Sequence, residues 1–237
     1  MSSSTETVEV WLIRTDAGAA VSTFADLAAL LDPRELRRAE SFGSGDERRR
    51  YTVAHAAMRL ILGRQLGVAP AELRWRIGPH GKPEFDGAGA GAGAGAASAV
   101  QLNLSGSGDV AMLALTGSRR VGVDVQSLPA AGAAIRIAER YFPPYEAGYV
   151  AAGGPKRAAS RFASLWVRKE ACVKASGGRL AQGLCLPVLD TGEHVPGGAL
   201  CQAFSIRGLR SPVGFRAALA LEGTEPYHVV RRSWPPV

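Results

Sequence analysis

The stretch Trp166-Val-Arg-Lys-Glu-Ala-Cys-Val-Lys-Ala-Ser-Gly-Gly-Arg-Leu180 constrains the fold most, because it sets an aromatic, a carboxylate and a lysine on neighbouring turns of one helix. At about 100° per residue, Phe162, Trp166 and Val173 share a narrow arc, Glu170 stands at its edge and Lys174 lies about 40° further round. A buried face therefore borders an acid and a base. The spacing predicts a helix that begins after the Pro155 break and stops at Gly177-Gly178, since glycine tolerates the left-handed turn that closes helices. A plainer reading is a surface Glu170–Lys174 pair, contributing about 0.3–0.5 kcal/mol. Lysine usage argues for more. Of 28 basic residues only Lys82, Lys156, Lys169 and Lys174 are lysine, and two of these fall in this helix. A lysine ammonium can give up its proton, whereas arginine stays charged.

A chain of 237 residues allows one large domain or two of roughly 100–120 residues each. With 46% hydrophobic and 21% charged residues it belongs with globular chains rather than disordered ones. No apolar run reaches the roughly 18 residues a membrane span needs, and the polar start Met1–Glu6 is no signal peptide. These features predict a soluble, cytoplasmic protein with no membrane partner. Cys172, Cys185 and Cys201 show no metal-ligand rhythm, which argues against a zinc site or disulfide framework and for core or partly buried thiols. The charge of +7 and pI near 9.8 imply a polyanionic partner: nucleic acid, a phosphate-rich ligand or an acidic protein. The basic residues are dispersed, and no zinc-finger or RNP signature is present.

In chain order, Val8–Ile13 reads as a strand and Ala25–Leu31 as a short helix. Asp32-Pro33 reads as a helix start, with Asp as N-cap. Arg34, Arg37 and Arg38 lie at helical spacing, and Arg48-Arg49-Arg50 precede an apolar-periodic helix Tyr51–Leu66. These arginines are either a solvated face or a polyphosphate grip. Leu73–Ile77 alternates as a strand and runs into Pro79–Phe85, a Gly- and Pro-rich turn containing Lys82. Gly87–Ala99 is nearly pure Gly-Ala, a surface loop by composition. Val100–Leu104 and Val110–Leu115 form a hairpin around Ser105–Asp109, whose backbone could meet phosphate. In the strand Val121–Gln126, Asp124 and Gln126 share one face. An acid there is either a strand-end cap or a ligand to a cation. Ile135–Tyr141 is helical, and Phe142-Pro-Pro-Tyr-Glu146 begins another turn or helix. Leu186–Leu221 suggests three strands, followed by a polar tail. The pattern predicts an α+β protein of two similar lobes, 1–118 and 119–237, meeting near residues 116–120.

Gly81-Lys82-Pro83, Leu102-Asn-Leu-Ser105, Val121-Gly-Val-Asp-Val125, Phe142-Pro-Pro-Tyr-Glu146 and Trp166-x-x-Lys-Glu-Ala-x-x-Lys174 together resemble the 4′-phosphopantetheinyl transferase superfamily, in its two-lobed Sfp-type form. They stand in family order, and the Asp124-to-Glu170 spacing matches. The resemblance implies lobes related by a pseudo-twofold axis, each a small, mainly antiparallel sheet packed with helices, with the active site between them. It implies transfer of the 4′-phosphopantetheine arm from coenzyme A to a serine of an acidic acyl or peptidyl carrier domain, in fatty acid, polyketide or nonribosomal peptide synthesis. Adenosine 3′,5′-bisphosphate would be released. Two lobes in one chain imply a monomer.

Carried over position by position, Asp124 and Glu170 resemble Mg²⁺ ligands that place the pyrophosphate, a hard cation relieving the repulsion of paired carboxylates. Glu170 would also help take the serine proton, directly or through water, and Lys174 would neutralise or protonate the leaving phosphate oxygen. Lys82 and Pro83 resemble residues lining the adenine nucleotide, Arg50 and Arg38 those gripping its phosphates, and Ser105 a hydrogen-bonding partner nearby. Two positions depart from the pattern. Gln126 stands where many members carry an acid, and would hold the metal weakly or through water. Gly106 stands where the family histidine contacts the 3′-phosphate of coenzyme A. A catalytically degenerate coenzyme A- or carrier-binding protein is the first alternative, and a basic nucleic-acid-binding module the second.

Overall fold

The computed structural model describes residues 5–16, 23–78, 83–88, 100–189, 194–196, 200 and 202–235, with backbone only at 77, 83, 84, 87 and 88. The chain divides into two compact units: Val8–Ser118 with Val229–Val237, and Arg119–His228 with the first residues up to Thr7.

In the first unit, β1 (Glu6–Arg14) is followed by three helices, α1 (Phe24–Ala28), α2 (Pro33–Glu40) and α3 (Gly45–Leu66). Asp32 caps α2 as expected, accepting from the backbone of Arg34 and Glu35 while Glu35 accepts from the Asp32 backbone. Arg59, wholly buried on α3, ties this cap down by pairing with Asp32 at 2.7 Å and Glu35 at 2.6 Å. Its remaining donors reach the Pro70 and Leu73 carbonyls, so no buried charge is left unsatisfied. A two-stranded sheet follows, β2 (Leu73–Ile77) with β3 (Pro83–Ala88), then β4 (Gln101–Ser107) and β5 (Val110–Thr116). β4 and β5 form the expected hairpin, with Gly106 opposite Ala111 and Ser107 opposite Val110.

The sequence expectations need five adjustments here. Gly87 and Ala88, expected in the Gly-Ala surface loop, are the last residues of β3. Arg48, Arg49 and Arg50 lie inside α3 rather than before it. Pro83–Phe85 is strand rather than turn, Phe85 meeting Trp75 edge-on at 5.7 Å. Ser105–Ser107 belong to β4, which shortens the turn to Gly108-Asp109. The tail is not irregular: Tyr227–Trp234 forms a strand, β10 in the numbering below, beside β1 in the order β10-β1-β5-β4, with Tyr227 and Trp234 buried. Lys82 and residues 89–99 of the Gly-Ala stretch lie outside the described residues.

The second unit begins with β6 (Val121–Ser127), then α4 (Ala131–Tyr141), α5 (Pro144–Ala151), α6 (Gly154–Ser176) and the unanticipated short α7 (Leu180–Leu184). Strands β7 (His194–Val195), β8 (Phe204–Leu209) and β9 (Phe215–Glu222) complete an antiparallel sheet of order β6-β9-β8-β7, and β10 (Tyr227–Trp234) follows in sequence. The three strands expected between Leu186 and Leu221 are these. Helix α6 takes Pro155 into its first turn and ends where expected, Gly177 adopting φ 70°. Phe162 and Trp166 stack at 5.4 Å inside the core over the sheet, beside Phe142. The fold is α+β in both units.

What sets the depth of α6 on this sheet is Gly122. A Cβ there would collide with the Ala171 carbonyl oxygen and come within 2.5 Å of the Ala175 nitrogen. Ala218 and Ala220, the β9 partners of Asp124 and Gly122, are fully buried on the same small-residue floor. Overpacking of this kind costs about 1–3 kcal/mol. Gly122→Ala should therefore lower the urea-unfolding free energy by at least that much. Gly208→Ala, at a strand position with nothing within 4 Å, should be neutral or slightly stabilising. Equal effects of the two substitutions would show that α6 does not rest on Gly122.

Candidate active site

Alternation along β6 separates two sets of side chains. Val121, Val123 and Val125 are buried on one face, while Gly122, Asp124 and Gln126 face α6. Because α6 lies so low over Gly122, one turn of the helix brings Glu170 and Lys174 against the middle of the strand. Arg216, opposite Gln126 on β9, donates to the Ser160 hydroxyl at 2.6 Å and holds the earlier part of α6. The helix thus runs antiparallel to β6.

The Lys174 ammonium pairs with Asp124 Oδ1 at 2.6 Å. This overturns the plain surface reading, in which it would lie along the helix against Glu170. Asp124 is only 5% exposed, so the ion pair forms in a poorly solvated setting. Among the described residues Glu170 receives no hydrogen bond and no ion pair. Burial pushes its carboxyl above the ordinary carboxylate range; Lys174 opposes the shift and Asp124 adds to it. A half-buried carboxylate without a donor, beside a second carboxylate, is an electrostatic setting that a cation would relieve.

The donor set fits a hard divalent ion, which takes oxygen ligands. Among the described residues no group of three or more His, Cys, Asp or Glu side chains gathers, so Asp124 and Glu170 would leave most coordination positions to water or phosphate oxygens. The amide nitrogen of Gln126 donates to the Ser127 carbonyl at 3.3 Å, so its oxygen is the atom left for a weak or water-mediated contact.

The remaining expected positions lie in the other unit. Arg50 donates from Nε to Asp109 at 3.0 Å, and Arg49 reaches the same carboxylate oxygen at 3.0 Å. Arg38 lies over the Phe42 ring at 4.8 Å. Ser105 is buried in β4 and Pro83 opens β3; Lys82 is outside the described residues. The strand conformation of Ser105–Ser107 removes the backbone anion nest that a turn there would have offered.

The lysine count pointed to α6 but not to the different fates of its two lysines. Lys169 is wholly buried, paired with the equally buried Glu146 at 2.6 Å and donating to the Leu186 carbonyl. Glu146 also accepts from the backbone of Val188 at 2.6 Å and Leu189 at 3.0 Å. This pair anchors α5 and the chain after α7 to α6. Its sequence signal was the acid in Phe142-Pro-Pro-Tyr-Glu146, to which no partner could be assigned before folding. Of the cysteines, Cys172 is a core thiol with its pKa pushed up to about 12 by burial, whereas Cys185 is exposed.

A raised folded-state pKa means that ionising Glu170 costs stability. The cost is absent below the ordinary glutamate pKa of about 4.3, grows as pH rises through that value to the folded one, and is constant above it. Glu170→Gln should therefore raise Tm at pH 7 in chelator and change it little at pH 4. Adding Mg²⁺ should raise Tm in the parent chain more than in the variant. The same difference in Tm at both pH values would contradict the assignment of a strained carboxylate.

Comparison with known proteins points the same way. The family model of the 4′-phosphopantetheinyl transferase superfamily matches residues 120–208, the segment carrying Asp124, Glu146, Lys169, Glu170 and Lys174. The 4′-phosphopantetheinyl transferase HetI of Nostoc sp. is 32% identical over 175 residues, 74% of this chain and 70% of that protein. The Synechocystis sp. protein slr0495, provisionally named a 4′-phosphopantetheinyl transferase, is 28% identical over 176 residues, 74% of this chain and 67% of that one.

Proposed function

Because the chain belongs to the 4′-phosphopantetheinyl transferase superfamily, we propose that it moves the 4′-phosphopantetheine arm of coenzyme A onto a serine of an acyl or peptidyl carrier domain. The observation that carries this reading is the unpaired Glu170 carboxylate beside the Asp124–Lys174 ion pair. The serine oxygen forms a bond to the phosphorus bearing the pantetheine arm. The bond from that phosphorus to the bridging oxygen breaks, and adenosine 3′,5′-bisphosphate leaves. Glu170 takes the serine proton as general base. Lys174, oriented by Asp124, meets the charge growing on the departing phosphate. Asp124 and Glu170 would hold Mg²⁺, with Gln126 contributing through its amide oxygen or a water; bound there, the ion supplies charge stabilisation for the in-line displacement.

The resemblance gives Arg50, Arg38, Lys82, Pro83 and Ser105 the coenzyme A nucleotide as their ligand. The net charge of +7 suits both that anion and an acidic carrier. The reading includes action as a monomer in the cytoplasm; among the described residues no helix is long and apolar enough to cross a membrane.

Incubation with apo carrier domains, coenzyme A and Mg²⁺, followed by intact mass, tests the proposal. The carrier should gain one phosphopantetheine. Asp124→Ala and Glu170→Ala should each lower turnover by at least about 10²-fold. Near-parental turnover in either variant at saturating Mg²⁺ would refute the assigned roles.

Gly106 supplies a separate test. Its φ lies outside the left-handed region, and a Cβ there meets nothing nearer than Ala111 Cβ and the Val110 oxygen, both at 3.8 Å. Gly106→His should therefore fold. A charged hydrogen bond to phosphate is worth about 1.5–3 kcal/mol, so the variant should favour coenzyme A over its 3′-dephospho form by about 10- to 100-fold more than the parent does. An unchanged ratio would mean that the arginines already fill this role.

A further inference from the structure

Helix α3 carries Arg48, Arg49 and Arg50 near its N-terminus, the end at which the helix dipole disfavours cations. Asp46 and Glu47 in its first turn offset part of that cost. A further acid comes from outside the helix. Asp109, in the Gly108-Asp109 turn between β4 and β5, sets its Oδ1 3.0 Å from Arg49 Nη2 and 3.0 Å from Arg50 Nε. The Arg50 and Arg49 guanidiniums hold the Asp109 carboxyl below the usual carboxylate range, so it is an anion at neutral pH.

The two arginines use that oxygen differently. Arg49 is committed within the fold: Nη1 donates to the Thr15 carbonyl at 2.7 Å, and Nη2 also lies 3.5 Å from Asp46. The Thr15 N–H donates to the Asp109 carbonyl at 3.1 Å, which fixes the turn beside the end of β1. Arg50 is held through Nε alone, and among the described residues neither of its Nη groups has an acceptor. Its side chain is 34% exposed. A guanidinium gripped at Nε keeps its Nη1–Nη2 edge for a second oxyanion, and that planar fork suits phosphate.

The hairpin also indicates which phosphate. Gly106, three residues before Asp109, stands where the resemblance expects a histidine on the 3′-phosphate of coenzyme A, and glycine has no side chain to reach it. In the proposed function the pyrophosphate falls to Asp124, Glu170 and Lys174, which leaves the 3′-phosphate for this hairpin and its arginines. We infer that Asp109 is a positioning residue for coenzyme A: it holds Arg50 by Nε so that the free guanidinium edge meets the 3′-phosphate, compensating for Gly106. This rests on the transferase reading, in which Arg50 grips a phosphate of coenzyme A. The Asp109 carboxylate itself repels phosphate. Its removal therefore weakens binding only if it acts through Arg50, and the sign of the effect separates positioning from competition.

The test measures calorimetric binding of coenzyme A and of 3′-dephospho-coenzyme A to the full chain. The parent is compared with Asp109→Ala, Asp109→Asn, Arg50→Ala and the Asp109→Ala/Arg50→Ala double variant, with melting curves to check folding. Asp109→Ala and Arg50→Ala should each weaken coenzyme A about tenfold and the 3′-dephospho form by less than about twofold. Asp109→Asn, which keeps an acceptor oxygen without the charge, should lose less. The double variant should bind as Arg50→Ala does, since the carboxylate then has nothing to position. Tighter coenzyme A binding by Asp109→Ala would make Asp109 a competitor for Arg50, and equal losses for the two nucleotides would make it a residue of the fold alone. Either result overturns the inference. Should Asp109→Ala not fold, the ratio in Asp109→Asn decides in the same way. A parent chain that modifies a carrier yet binds the two nucleotides equally would overturn the inference and leave the transferase reading standing. A parent that binds neither nucleotide and modifies no carrier would refute the transferase reading, and the inference with it.

Discussion

The close approach of α6 to β6 at Gly122 is the constraint on which the candidate site depends. Ala171 and Ala175 on the helix and Ala218 and Ala220 on the sheet keep the contact narrow, and Gly122 lets helix backbone touch strand backbone. At a more ordinary helix–sheet separation of about 10 Å, Lys174 would reach solvent before it reached Asp124. The 2.6 Å ion pair is thus a consequence of five small-residue positions rather than of attraction alone. Small residues contribute little area burial each, but dense packing here converts a general hydrophobic contact into a fixed distance between charged groups.

Helix α6 uses its two lysines in opposite ways. Lys169 is wholly buried; burial lowers its pKa while the Glu146 carboxylate holds it up, and backbone groups bond Lys169 and one Glu146 oxygen, the other being held by the ion pair alone. Such a pair resists removal of either member, because the survivor would be a buried uncompensated charge, at a cost of about 3–5 kcal/mol. Lys174 keeps partial solvent contact and pairs with an acid at a strand face rather than inside the core. The four residues between them turn the helix enough to send one charge into the core and the other to the strand face. Position in the fold, rather than residue type, distinguishes them.

That separation was only partly legible in the sequence. The helix, its glycine stop, the hairpin, the Asp32 cap and the shared face of Asp124 and Gln126 follow from local rules: periodicity, capping and the conformational freedom of glycine. Lysine scarcity in an arginine-rich chain directed attention to the right helix. The partners of those lysines were not readable, because Lys174–Asp124 and Lys169–Glu146 close long loops whose geometry depends on α6 sitting on Gly122. The strand at Tyr227–Trp234 was missed for a related reason. Its alternation is weak, with Tyr227 and Trp234 buried but His228, Arg231 and Arg232 exposed between them, and the edge beside β1 rather than local pattern makes it a strand. Arg59 was likewise indistinguishable from the other arginines until Asp32 and Glu35 converged on it.

Glu170 breaks the rule that the rest of α6 obeys. Every other buried charge described on this helix has a partner, whereas Glu170 is desolvated, faces a second carboxylate and accepts no hydrogen bond among the described residues. A neutral isostere would relieve that conflict, so selection for stability alone would not keep the acid. Local conflicts of this kind gather where function requires a group to be held short of its most comfortable state. The cation that would ease the conflict is also the one that would attract a pyrophosphate, and Lys174, already paired with Asp124, adds positive charge on the same side. The arrangement that destabilises Glu170 is therefore the same one that would favour a metal-bound anion there.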